Sequence, residues 1–98
     1  MLASDPVAVP YAEALVELAQ EQGVLEEVRD QVAALLEAFI QEPDGLVVLE
    51  SPRVSEESKA KVIEGAFRGS LHDSVTNTLG VVVKHGRGMH LRAVCEEV

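Results

Sequence analysis

Several residue types that define common classes of protein are scarce in this 98-residue chain. It contains one cysteine, three aromatic residues and no tryptophan. A single cysteine, Cys95, excludes a disulfide framework and a cysteine-based metal site, and it favours a reducing compartment. Eight basic residues against seventeen acidic ones give a net charge of −9 without a basic patch. This balance argues against binding to nucleic acid or to an anionic membrane surface, and it suits a basic or amphipathic partner segment better.

Long apolar runs are also missing. No run approaches the ~18 residues of a membrane-spanning helix, and the N-terminus lacks a signal-peptide pattern. We therefore expect a soluble, cytoplasmic protein without direct membrane insertion, which could still attach to a membrane complex. The length and the 47% apolar content fit one helix-rich domain over residues 1–98. The last helical pattern stops without a terminator, so we expect a domain of a longer protein.

Hydrophobic periodicity and punctuating residues predict an all-α fold, a compact bundle of six helices of which one is short. Asp5 should cap the first helix and Gly23 should end it, while Ser55 should cap the fourth. In the fourth helix, the residues expected to face inward are Val62, Ile63, Ala66 and Phe67, and those expected to face outward are Lys59, Lys61 and Glu64. The predicted helices cover residues 7–22, 25–41, a short segment within 45–50, about 56–68, 71–85, and a stretch from about residue 89.

The first predicted helix has an apolar surface that is unusually wide. At ~100° per residue its apolar positions cover an arc of about 220°, roughly twice the stripe of a one-sided surface helix. Glu13, Glu17, Gln20 and Glu21 occupy the rest. Such a helix is covered on two sides. It is either the centre of the bundle, or it packs on the core with one side and binds a partner with the other.

The fifth predicted helix has an outer face that is small and uncharged. Ser74, Asn77, Thr78 and Val81 lie opposite its core stripe, where lysine and glutamate are the usual residues. This face is either a surface of mediocre helix formers or a docking surface that lets another helix approach closely.

We find no pattern that indicates a catalytic, cofactor or metal site. His85 and His90 lie about 140° apart on a helix rather than on one face, and no HExxH motif is present. Cys95 lies on an apolar stripe without a positioned base, which predicts a buried structural thiol. HGRGMH lacks the GxxxxGK[ST] pattern of a phosphate-binding loop. The glutamates lie on outward faces and form no acid–base pair.

Three stretches, taken together and in order, carry a resemblance: VAVPYAEALVELAQEQG at 7–23, SPRVSEESKAKVIEGAF at 51–67 and VVVKHGR at 81–87. They resemble the N-terminal domain of the delta subunit of F-type ATP synthase, the bacterial counterpart of the mitochondrial oligomycin-sensitivity-conferring protein. Val9 stands where that family commonly has arginine. Gly88-Met89 follows Gly-Arg where leucine is usual, so we expect a different turn before the last helix.

The resemblance implies a six-helix bundle on top of the catalytic head, which binds the N-terminal helix of an alpha subunit between helices one and five. It implies a non-catalytic stator component, peripheral at the cytoplasmic face of the cell membrane and without a cofactor. The peripheral-stalk subunit would be bound through the family's C-terminal domain, which this chain lacks. On this basis the candidate partner-binding residues are Tyr11, Ala14, Leu15, Leu18, Asn77, Thr78, Val81 and Val82.

Two other interpretations remain open at this stage. The chain could be a stand-alone helical adaptor that binds an amphipathic helix of another partner. It could also be an enzyme, which would require a polar cleft with perturbed titratable groups. Periodicity alone does not separate the candidate residues that face the core from those that face a groove.

Overall fold

The computed structural model describes residues 5–98, and these residues form a bundle of six α-helices. This confirms the predicted all-α fold, and residues 25–41 are helical as predicted. Residues 1–4 of the predicted domain lie outside the described residues. No helix within residues 5–98 combines the length and the apolar character needed to cross a bilayer. The helices are α1 (Ala8–Glu21), α2 (Leu25–Gln41), α3 (Pro43–Glu50), α4 (Glu56–Phe67), α5 (Asp73–Lys84) and α6 (Leu91–Glu97), with a 3-10 turn at Gly88–His90.

The ends of α1 are set by the two residues that the sequence singles out. One carboxylate oxygen of Asp5 accepts hydrogen bonds from the N–H groups of Val7 at 2.8 Å and Ala8 at 3.3 Å. At the other end, Gly23 has φ +71°, and the next N–H, of Val24, donates to the carbonyl of Ala19 at 2.9 Å. This is the left-handed helix ending that glycine adopts without a steric penalty.

The core lies where α1, α5 and α6 meet. All three helices contact one another, α4 packs on α5, and α2 packs on α3 and α6. The buried stripe of α1 consists mainly of alanines, which lets its neighbours approach closely. Its members are Ala8, Ala12, Leu15 and Ala19.

The predicted orientation of α4 is confirmed for Ile63 and Phe67, which face the core, and for the exposed Lys61 and Glu64, but it is wrong for Lys59, Val62 and Ala66. Lys59 is buried, with 7% of its surface exposed, whereas Val62 is 43% exposed and Ala66 is also exposed. Ala60 and Ile63 form the inward stripe, and Lys59 lies on the same face beside them. A long lysine side chain can bury its methylene groups while its ammonium stays at the edge. A prediction from hydrophobicity alone places such a lysine on the solvent-exposed face of the helix.

Helix α5 is shorter than predicted because both its ends are capped. His72 Nδ1 accepts a hydrogen bond from the Ser74 N–H at 3.1 Å, which begins the helix at Asp73 rather than at residue 71. After Lys84 the chain turns at Gly86, with φ +73°. There the Arg87 N–H donates to the Val82 carbonyl at 3.0 Å. This turn brings the Arg87 side chain back towards α1.

A short 3-10 turn, Gly88–His90, leads directly into α6. Gly88 begins the 3-10 turn and is buried. A Cβ atom at this position would collide with the carbonyl oxygen of Leu49, at the end of α3. The close approach of this turn to α3 therefore requires glycine.

We predict that Gly88→Ala destabilises the fold by about 1–3 kcal/mol, since the added methyl group forces backbone to move. The matched control is Gly65→Ala in α4, where a Cβ atom meets no other atom within 4 Å. That change should stabilise the helix by about 0.5–1 kcal/mol. Urea unfolding monitored by circular dichroism measures both changes. A Gly88→Ala variant as stable as the unmodified chain would contradict the close-approach argument.

We predict that Asp5 makes stability depend on pH in the acidic range. A hydrogen bond from His90 Nδ1 at 2.7 Å is the main cause that lowers the pKa of the Asp5 carboxyl below its ordinary value of 3.8. A lowered carboxyl pKa stabilises the folded state above pH ~4, and this stabilisation is lost as the pH falls through the folded-state pKa. Asp5→Asn should therefore be less stable than the unmodified chain at pH 7, and the difference should shrink below pH ~4.

The control for this change is Asp30→Asn, which removes an exposed carboxylate of α2 without touching the cap. Its stability should follow that of the unmodified chain at every pH. If Asp5→Asn also did so in unfolding experiments between pH 7 and pH 3, the pH-dependent contribution of the Asp5 carboxylate would be refuted.

Candidate docking groove between α1 and α5

The eight candidate partner-binding residues divide into a surface set and a core set. Leu15 and Val82 are 3% and 0% exposed, so the structure places them in the core beneath the surface. The prediction that these two residues contact a partner is therefore wrong, and they support the groove from below. The wide apolar arc of α1 explains the error at Leu15, since a helical wheel shows no boundary within it, whereas Val82 belongs to the buried stripe of α5. The surface set consists of Tyr11, Ala14, Leu18, Asn77, Thr78 and Val81, all exposed or half-buried.

Five of these six residues line a single surface groove. Its volume is about 350 Å³, and its walls come from the first half of α1 and from the middle and last turns of α5. We call it the α1–α5 groove. Leu18, 39% exposed, is not in its lining. The lining residues are Pro10, Tyr11, Ala14, Asn77, Thr78, Val81 and Arg87.

The groove is neutral or positive, although the chain is strongly acidic. None of its seven lining residues is acidic, and Arg87 supplies its one formal charge. Because the side chain of Ala14 is small, the α1 wall of the groove projects little at this position. Val81, 42% exposed, supplies apolar surface from α5. A concave surface of this kind, without acidic residues, suits the apolar face of a helix.

The polar side chains of the outer face of α5 are largely satisfied within the domain. The Thr78 hydroxyl donates to the Ser74 carbonyl of its own helix at 2.8 Å. Ser74, predicted on this outer face, is in fact buried, with 3% exposed. Asn77 Oδ1 accepts a hydrogen bond from Arg68 at 2.7 Å. Burying this face against a partner would therefore leave few unpaired polar groups, which lowers the cost of docking.

Arg68 joins α4 to α5 and holds Asn77 in place. It makes two hydrogen bonds to Glu64, at 2.7 and 2.9 Å, and one to Asp73 at 3.2 Å. These bonds raise the pKa of Arg68, and the Arg68 guanidinium in turn lowers the pKa of Glu64. The side chains are partly exposed, so we assign this network an orienting role rather than a large contribution to stability.

One end of the groove is formed by a cluster of Tyr11, His85 and Arg87. The Arg87 guanidinium donates to the Tyr11 hydroxyl at 3.0 Å, and this hydroxyl lies 2.8 Å from His85 Nδ1. The carbon of the guanidinium also lies 5.7 Å from the centre of the Tyr11 ring, a cation–π distance. Tyr11 is thus held from two sides with its ring in the groove wall.

Sequence patterns missed two lining residues, Pro10 and Arg87, and also His85, which contacts the Tyr11 hydroxyl but is not in the lining. Pro10 lies one turn before Ala14, so a helical wheel centred on Ala14 could have found it. His85 and Arg87 lie at and beyond the end of α5, where a helical period no longer determines direction. Their placement depends on the turn at Gly86.

Two kinds of site considered from the sequence, a reactive cysteine and a metal site, are not formed by residues 5–98. Cys95 is 4% exposed, and burial raises the pKa of its thiol to about 12, so it remains protonated and unreactive. This agrees with the predicted structural thiol. Within residues 5–98, no three side chains of the metal-binding types lie close enough together to hold an ion.

These features describe a class of protein: a small all-helical domain with a groove free of acidic residues between two packed helices. Comparison with known proteins identifies the group within this class. A family model described as the ATP synthase delta (OSCP) subunit matches residues 7–98. The chain therefore belongs to the ATP synthase delta (OSCP) subunit family, as the three sequence stretches predict.

Individual relatives agree with this assignment. The ATP synthase subunit delta of a Synechocystis species is 35% identical over 96 residues, which cover 98% of this chain and 52% of the relative. That of an Exiguobacterium species is 36% identical over 88 residues, covering 90% and 49%. That of Microcystis aeruginosa is 32% identical over 96 residues, covering 98% and 53%. The chain spans about half the length of these relatives.

Proposed function

We propose that the chain is a non-catalytic stator component of F-type ATP synthase, and that its α1–α5 groove binds the N-terminal helix of an alpha subunit. Membership of the delta family supports the stator role. The observation that carries the binding proposal is the groove itself, which five residues predicted for partner binding line together.

The lining residues have distinct roles in this proposal. Tyr11 is the anchor, because its ring is rigid and its hydroxyl is already held by the domain. Ala14 lets the backbone of the bound helix approach closely. Val81 supplies apolar contact from the opposite wall, and Asn77 and Thr78 fill the face without adding charge. Leu15 and Val82 support both walls from the core.

In this proposal the mechanical role of the contact is to resist the torque of the rotor. A stator links the catalytic head to the peripheral stalk, so that the head does not turn with the rotor during proton-driven ATP synthesis. The contact must release slowly, which requires buried apolar area rather than charges at the rim. In this proposal the domain works at the cytoplasmic face of the membrane as a peripheral part of the complex. The peripheral-stalk subunit is bound by a further domain of the family.

The test is a calorimetric titration of this chain with a synthetic peptide of the first ~20 residues of an alpha subunit. We predict that the unmodified chain binds the peptide and that Ala14→Asp weakens binding roughly 100-fold or more. The reason is that the new carboxylate would be buried against the bound helix without a partner. The helicity of the variant should be unchanged, since Ala14 is exposed in the free domain.

The matched control is Ala34→Asp, the same substitution at an exposed position of α2, which lies outside the groove. It should bind as the unmodified chain does. Binding that survives Ala14→Asp would move the site away from this groove. A folded chain that binds no alpha peptide, but does bind another amphipathic helix, would favour the adaptor interpretation.

A further inference from the structure

Arg87 is the charged residue in the lining of the α1–α5 groove, and the domain holds its guanidinium in place. Its backbone N–H donates to the Val82 carbonyl at 3.0 Å, which fixes the turn after α5. Its side chain donates to the Tyr11 hydroxyl at 3.0 Å, and the guanidinium carbon lies 5.7 Å from the centre of the Tyr11 ring. A cation held at both ends of its side chain can bind an anion with little further loss of conformational freedom.

The charge of Arg87 and most of its hydrogen-bonding capacity are unused within the domain. A guanidinium carries five N–H donors, and within residues 5–98 the Arg87 side chain makes a single hydrogen bond, to Tyr11. None of the ion pairs among these residues includes Arg87. Glu56 Oε1 lies 2.8 Å from the position that a Cβ atom on Gly86 would occupy, but Glu56 lines a different surface pocket, together with Lys84. Arg87 is therefore a cation that a partner can neutralise.

Docking changes the energetics of this cation. A helix in the groove removes water from the lining, and a guanidinium that loses water without gaining an anion raises the free energy of the complex. A carboxylate on that helix would match the planar guanidinium and accept charge-assisted hydrogen bonds from it. A lysine or arginine at the same place would be repelled. The groove should thus discriminate between helices by the charge that they carry at this end.

We propose that Arg87 selects and orients the bound helix by pairing with a carboxylate on it. This inference rests on the proposed docking function. The groove is electrically asymmetric, because Arg87 lies at the Tyr11 end and the other lining residues carry no formal charge. The carboxylate-bearing turn of the bound helix lies at that end, beside the apolar stripe that contacts Ala14 and Val81. Arg87 determines which helix binds and in which direction, while the apolar contacts make release slow.

The test is a double-mutant cycle between Arg87→Gln and an alpha-subunit peptide whose aspartates and glutamates are replaced by asparagine and glutamine. An ionic strength of about 0.15 M screens the net charge of the chain beyond roughly 8 Å. We expect the unmodified chain to bind the neutralised peptide about tenfold more weakly than the original one, as for the loss of a hydrogen-bonded charge pair. Arg87→Gln should bind the two peptides within about twofold of each other. Replacing the acidic residues one at a time then identifies the paired carboxylate.

The cycle separates pairing from a purely structural role of Arg87. If Arg87 did no more than hold the Tyr11 ring, its loss would weaken the binding of both peptides by the same factor. The control variant is Arg53→Gln, which removes the same charge from an exposed position between α3 and α4, outside the groove lining. It should retain the preference for the acidic peptide. A preference that Arg87→Gln also retained, or that Arg53→Gln also lost, would overturn the proposal.

Charge exchange gives a second test. Arg87→Glu should bind the original peptide more weakly than Arg87→Gln does, since it places two carboxylates together. A peptide with lysine at the paired position should recover about tenfold or more of that loss. Circular dichroism should show unchanged helicity in both variants, because Arg87 is exposed. Without such recovery the pairing would be refuted.

The outcomes distinguish this inference from the function on which it rests. An alpha-subunit peptide that fails to bind the folded, unmodified chain would overturn the docking function and the role of Arg87 with it. A peptide that binds in the groove without any coupling to Arg87 would overturn the role of Arg87 alone. Binding that depends on Arg87 but on none of the peptide carboxylates would do the same, since the guanidinium would then contact another group, such as the carbonyls at a helix end.

Discussion

The packing of α1 between α5 and α6 is the interaction on which the rest of the structure depends. It is possible because the buried stripe of α1 consists mainly of alanines, three of which are at most 2% exposed. Small side chains on this stripe let α5 lie close to α1. The exposed surfaces of the two helices then form the two walls of one groove. Larger residues there would push α1 away from the core and change the shape of that groove.

The distribution of polar groups adds a second constraint. The chain has a net charge of −9, yet none of the groove lining is acidic. On α5, polar side chains are used inside the domain: Thr78 bonds to its own helix, and Asn77 bonds to Arg68. The groove is therefore a surface without negative charge and with its polar atoms mostly satisfied, which is a favourable condition for burying it under a second helix.

Much of the fold could be predicted from the sequence because its helices begin and end at residues with specific backbone or capping properties. Gly23 ends α1, and the Ser55 side chain caps α4 by accepting a hydrogen bond from the Ser58 N–H; both set boundaries that periodicity alone would have left open. Sequence reasoning failed where one residue type serves two environments. Lys59 buries its stem. Valines occur in both environments, since Val62 of α4 and Val81 of α5 are exposed whereas Val82 of α5 is buried. The groove could be predicted only in part, because the direction of Arg87 depends on a turn and not on a helical period.

The central claim is that a helix of the alpha subunit lies between α1 and α5. The most direct measurement is a map of backbone amide chemical shifts in the free chain and in its complex with the alpha-subunit peptide. Our account predicts that the largest changes occur around Ala14, Thr78 and Val81, and that the amides of α2 and α3 change little. Changes concentrated on α2 and α3, with the groove residues unaffected, would contradict it.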